Sequence, residues 1–140
     1  LITAVMEQMF ETMTADASAV LADVPDDLDT RVTAVVDKAV AIYTGTPFKA
    51  ALQVWAAAAS DQALREVILP LEAKLARAAH KFTVAGLDPT GVHPDAHRLA
   101  QVTLDLARGL GLADTLSDDS RRRMQVVATW CGQLVDALSP

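Results

Sequence analysis

Cysteine is almost missing from this chain, and its scarcity is the first constraint. Cys131 is the only one in 140 residues. No internal disulfide can form, so a reducing cytoplasm is the simplest home. Aromatic side chains are scarce too, at 4%, which leaves small aliphatic residues to build the core. Basic residues number 12 against 18 acidic ones, a formal net charge of −6. Binding nucleic acid by counterion release needs clustered cations, so this chain alone is a poor candidate for it. Long apolar runs are missing as well. Ala50 to Ala59 comes nearest, and Gln53 breaks it well short of a membrane span. No basic stretch followed by an apolar one opens the chain, so no targeting signal is read there. No segment alternates with period two for long enough to make a strand, and there is no internal repeat.

The usual catalytic signatures are equally absent. There is no glycine-rich phosphate loop, no HExxH or paired-cysteine metal motif, and no serine in a GxSxG elbow. The Glu-x-x-His of di-iron bundles also fails, because Leu69 and Leu75 stand three residues after Glu66 and Glu72. No cofactor is implied, and no constellation supports a helical-bundle enzyme.

What is present is helical periodicity. Hydrophobic residues make up 51% of the chain, enough for one domain with one core. Six helices are expected. The first spans about Leu1 to Ala22, with Ile2, Val5, Met6, Met9, Phe10, Met13, Ala17, Val20 and Leu21 at steps of three and four. The second spans Leu28 to Thr44, capped by Asp26 or Asp27 and closed by a left-handed Gly45. The third opens at Thr46-Pro47, with proline at N1, and presents Phe48, Ala51, Leu52, Trp55 and Ala59. The fourth opens at Ser60-Asp61 and runs to about Val84, with a kink expected at Pro70 and an end at Gly86. Leu87 to Val92 reads as a turn-rich loop. The fifth starts near His93-Pro94 and runs through Leu99, Val102, Leu106 and Leu110. Gly109 and Gly111 either stop it or admit another backbone. The sixth starts at Ser117 and carries Met124, Val127, Cys131, Leu134, Val135 and Leu138. Cys131 lies among apolar neighbours, where a free thiol packs as a small hydrophobe.

Three groups carry possible chemistry. His93 and His97 are one helical turn apart, with Asp88, Asp95 or His80 as third ligands for a metal; a capping or surface role for His93 is the simpler reading. Arg121, Arg122 and Arg123 suggest a phosphate site, yet Asp118 and Asp119 stand close upstream and the charges pair along one helix face. Met6, Met9, Phe10 and Met13, with Tyr43, Phe48, Trp55 and Phe82, suit either a packed core or a cavity between helices.

Three stretches carry a resemblance. LITAVMEQMFETM, then YTGTPFKAALQVWAAAASDQALREVILPLEAKLARAAHKF, then HRLAQVTLDLARGLGLADTLSDDSRRRMQVVATWCGQLVDAL together resemble the C-terminal ligand-binding and dimerisation domain of TetR-type transcriptional repressors. The resemblance covers nearly the full chain. It implies an all-α bundle of a bacterial, ligand-responsive regulator, with operator DNA held by a separate N-terminal helix-turn-helix head and not by this fragment. The chain opens on Leu1 rather than Met and contains no such head, which fits that expectation. The resemblance further implies that Met9, Phe10, Met13, Tyr43, Trp55 and Phe82 line a pocket for a small apolar or amphipathic effector. Tyr43 O–H and Trp55 N–H would be its polar handles. It places Leu99, Val102, Leu106, Gly109, Leu110, Val127, Trp130, Leu134 and Leu138 in a four-helix interface with a second copy. Gly109 then becomes a close-contact residue inside a helix that continues past it. Two alternatives stand beside this reading. One is a metal-binding helical sensor of the GntR-regulator type, with His80, His93 and His97 all as ligands. The other is a helical dimerisation module without a ligand.

Overall fold

The computed structural model describes residues 4–9, 11–12, 14–15 and 26–140. Expectations that fall on residues 1–3, Phe10, Met13 and residues 16–25 lie outside it. The helical residues 4–9, 11–12 and 14–15 are designated α1. Five further helices follow: α2 (Leu28–Thr44), α3 (Thr46–Ala58), α4 (Gln62–Leu87), α5 (Ala96–Asp114) and α6 (Ser120–Leu138). The domain is all-α, and no strand occurs among the described residues. None of these helices is long and apolar enough to cross a membrane.

The core is built around α2. Its buried face is Val32, Val35, Val36, Ala39, Val40 and Tyr43, and it packs against α3, α4, α5 and α6. Such central placement suits a helix rich in valine, whose side chains are short and stiff. The closest partner is α5, because α5 turns small residues toward α2. Ala96, Ala100, Thr103, Ala107 and Gly111 are all buried there at helical spacing. A methyl-sized ridge lets two backbones approach, much as ridges fit grooves in helix packing.

Glycine closes the gap completely at one point. A Cβ built on Gly111 would lie 2.1 Å from the carbonyl oxygen of Tyr43. Gly109, two residues earlier, has nothing within 4 Å. Of the two glycines at which another backbone could approach, it is Gly111 that is approached within the chain. Neither glycine stops the helix, which continues to Asp114.

Several helix ends differ from the expected ones, each for a local reason. Asp27 caps α2, accepting from the Thr30 N–H at 3.0 Å. Gly45 is extended (φ −78°, ψ 165°), not left-handed. It ends α2 and caps α3 at once, and an N-cap needs extended backbone. Helix α4 passes unbroken through Pro70, which sits on its exposed side. The carbonyl freed there, on exposed Glu66, costs little because water reaches that side. Gly86 does not end α4. It lies inside the last turn, its carbonyl accepting from Arg31 Nε at 3.0 Å. Arg65 does the same for α3, donating to the carbonyls of Ala58 and Ala59. Helix α5 begins at Ala96 rather than at His93-Pro94, and α6 at Ser120 rather than Ser117. In each case a nearby acceptor meets a backbone donor ahead of the helix. His93 Nδ1 accepts from Asp95 N–H, and Asp118 Oδ1 accepts from Ser120 N–H.

Helix α6 is held by polar pins. Trp130 Nε1 donates to Thr103 Oγ1 at 3.0 Å. Asp114 joins three helices, meeting Lys49 Nζ at 3.1 Å and Arg123 at 3.0 Å. The hydrogen bonds from Lys49 and Arg123 hold the Asp114 carboxyl below its ordinary range. A carboxyl lowered by folding adds stability above its unfolded pKa, and that stability is lost as pH falls through the folded value. Asp114→Asn should therefore melt below the wild type at neutral pH, and the two should converge well below about pH 4. Melting curves across that range check this. A gap that persists unchanged into acid would assign the effect to packing instead.

The arginine run at the start of α6 splits up. Arg122 pairs with Asp119 at 2.6 Å, whereas Arg123 reaches back to Asp114. The expected pairing along one helix face therefore holds for Arg122 alone.

Candidate ligand site

Aromatic residues meet where α2 turns into α3. Tyr43, at the end of α2, and Phe48, in the first turn of α3, have ring centroids 4.9 Å apart at 85°. Two helical turns further along, Trp55 meets Phe48 at 5.6 Å and 69°. Both contacts are edge-to-face, the arrangement that ring quadrupoles favour. Trp55 also joins a second, smaller cluster of Met6, Ala51, Ile68 and Leu75, against which Met9 is packed. Its Nε1 is buried and has no hydrogen-bond partner among the described residues.

Of the six expected pocket residues, Met9, Tyr43, Trp55 and Phe82 are described. Tyr43 and Trp55 are linked through Phe48, and Met9 reaches the cluster that Trp55 joins. Phe82 is half-buried on α4, in register with Leu71 and Leu75, away from the groove described next. Phe10 and Met13 lie outside the described residues.

A groove with a volume of about 1000 Å³ lies between α4, α5 and the loop that joins them. Of the expected residues that are described, only Tyr43 lines it. Its apolar surface includes Tyr43, Ala79, Val84, Val102 and Leu104. Its polar rim is cationic: Arg77 and Lys81 come from α4, Arg98 and Arg108 from α5. Two carboxylates are also present, and both are engaged. Asp88 Oδ2 accepts from the His93 backbone N–H at 2.9 Å, and Asp105 pairs with Arg108 at 3.1 Å. The Arg108 guanidinium also stands 5.7 Å from the Tyr43 ring centroid, within cation–π range.

Two histidines complete the rim. His80 Nε2 and His97 Nδ1 are 2.9 Å apart. The ring centroids are 5.2 Å apart and the planes differ by 23°. The centroid separation exceeds the nitrogen separation by little more than the two ring radii, so the rings meet edge to edge through one in-plane N–H···N bond. The candidate metal pairing of His93 with His97 is not formed, and His93 takes the capping role that is the simpler reading of its position. His93 turns away, donating from Nε2 to the Ala137 carbonyl at 2.9 Å and accepting at Nδ1. With both ring nitrogens engaged, His93 pins the loop to the end of α6. Three histidines do not converge, and no group of three or more His, Cys, Asp or Glu suited to a metal occurs among the described residues.

The expected interface residues fall into two sets. Leu99, Val102, Leu106 and Gly109 follow one another at steps of three, four and three, on a flank of α5 that borders the groove and shares Val102 with it. Val102 is 40% exposed. Leu110 and Leu134, by contrast, are buried in the protomer's own core, at 4% and 0% exposure. Val127, Trp130 and Leu138 are half-buried against the same core. Cys131 is also half-buried there, and burial, with Asp37 nearby, pushes its thiol pKa up. A raised thiol pKa means less thiolate, consistent with a packing role.

The groove had little signal in the sequence. Its cations are scattered singly over two helices rather than forming a run. Their only trace is spacing: 77, 80, 81 and 84 on one helix, and 97, 98, 101, 105 and 108 on the other. Comparison of the chain with protein-family models, curated proteins and solved structures finds no match.

Proposed function

We propose that this chain is the small-molecule-sensing and dimerising part of a ligand-responsive transcriptional regulator of the TetR type, a repressor acting in the cytoplasm. The effector enters among the helices, a second copy packs on α5 and α6, and a separate head holds the operator. The observation that carries the reading is the state of α6. Only Leu134 on it is fully buried. Six other apolar residues (Val126, Val127, Trp130, Cys131, Val135 and Leu138) are merely half-covered. Beside it runs the apolar flank of α5 at coiled-coil-like spacing. A helix pair left half-covered by its own chain is what a four-helix interface between two copies requires.

In such a regulator the effector must favour one of two dimer arrangements, because a ligand with equal affinity for both shifts nothing. Heads on neighbouring half-sites read DNA only when their separation matches its repeat. Helix α4 links the groove wall to the small cluster beside Met6 and Met9, so it is the element that would carry a change from one to the other.

Gly109 provides the test. It is exposed and has open space around it, so Gly109→Arg leaves the protomer's own packing intact. The wild type is expected to sediment as a dimer at micromolar concentration, and the variant as a folded monomer. A wild-type chain that remains monomeric at hundreds of micromolar would end this reading.

A further inference from the structure

We propose that the α4–α5 groove binds a small amphipathic anion: an acid group on an apolar body. The proposal rests on the sensing role above and specifies the ligand's chemistry.

The charge distribution points to it. The whole chain is acidic, with 18 carboxylates against 12 lysines and arginines. The groove reverses that balance, with four of the twelve cations and two of the three histidines on its rim. Both of its carboxylates already have partners, Asp88 in the loop and Asp105 on Arg108. Arg98 donates only to the neutral Gln101 side chain, at 2.9 Å, among its hydrogen bonds to side chains. Cations gathered along a concave, low-dielectric wall focus a positive potential into it. Arginine presents a planar fork that fits a carboxylate or phosphate with two parallel bonds.

The histidine pair adds a donor. Two neutral imidazoles joined by one N–H···N bond share one of their two protons in that bond. Whichever ring donates, the other keeps an N–H outside it. The rim therefore offers donors and no unengaged carboxylate. Below it, Tyr43, Ala79, Val84, Val102 and Leu104 provide an apolar wall. A purely inorganic anion would leave that wall unused, and a cation would meet a rim of its own sign.

Octanoate, octyl phosphate and octyltrimethylammonium, used below micelle formation, separate these possibilities by calorimetry. They share one alkyl chain and differ in head group. Either anion is expected to bind saturably, and the quaternary ammonium not at all. A preference between octanoate and octyl phosphate identifies the acid. Lys81→Glu/Arg98→Glu should weaken anion binding at least tenfold, while Lys81→Gln/Arg98→Gln gives an intermediate loss. Both residues are exposed, so each double variant should melt close to the wild type, which a parallel melting curve verifies. Binding of neither anion, or unchanged binding to the charge-reversed variant, overturns the proposal. Preferential binding of the ammonium compound also overturns it. A dimer that fails with the anions loses this inference but keeps the sensing reading, because the sedimentation test is independent.

Discussion

Replacing Gly111 with alanine is expected to lower the melting temperature by about 10 °C, whereas alanine at Gly109 should raise it by a few degrees. Both glycines lie in α5 and both substitutions gain helix propensity, about 0.5–1 kcal/mol. What separates them is the neighbour. At 111 the new methyl would stand 2.1 Å from the Tyr43 carbonyl oxygen and 2.7 Å from its carbon. Those are backbone atoms of a buried helix, and they cannot rotate away as a flexible side chain would. The two helices must separate by roughly an ångström, loosening the ridge of Ala100, Thr103 and Ala107. Overpacking of this kind costs about 1–3 kcal/mol, occasionally more, and here it strikes the closest helix contact in the core. At 109 the methyl meets open space, so only the propensity gain remains. Thermal denaturation of the two single variants checks this, and equal melting temperatures would show that α5 does not approach Tyr43 so closely.

Phe48→Ala should be at least as damaging, at about 3–5 kcal/mol. Phe48 is 2% exposed and belongs to the main core cluster. Its ring also bridges Tyr43 and Trp55. Truncation therefore opens a cavity and removes two edge-to-face contacts together, each worth about 0.5–1.5 kcal/mol. The rigid corner at Gly45 limits how far α3 can collapse into the gap. Phe48→Leu keeps most of the volume and should cost much less. In a Trp130→Phe background the remaining indole emission reports Trp55 alone, and Phe48→Ala should shift it to the red as water reaches the ring. Unchanged emission with unchanged stability would contradict the aromatic bridge.

These two variants mark different degrees of legibility. Phe48 was readable as a core residue, because it opens an apolar stripe directly after Thr46-Pro47. Trp55 was readable two turns along the same stripe, but the Tyr43 contact was not, since Tyr43 belongs to another helix and faces Phe48 only through the one-residue corner at Gly45. Gly109 and Gly111 are indistinguishable by sequence rules. The groove was still less visible, because Arg77, Lys81, Arg98 and Arg108 become neighbours only when α4 and α5 lie side by side. The histidines show the same limit. Spacing paired His93 with His97, but α5 starts three residues after His93, and the ring that meets His97 is 17 residues away at His80.

The sequence by itself determined the class and number of the helices. Apolar residues recurring every three or four positions leave no other regular way to bury 51% hydrophobic content. It also determined most helix boundaries to within a few residues, through proline, glycine and acidic caps. Tertiary structure alone decided which glycine is indispensable, which histidines touch, and where positive charge collects in an acidic chain. Local propensity acts within one turn of helix. Contact between helices depends on how their ridges settle against each other, and no single segment contains that information.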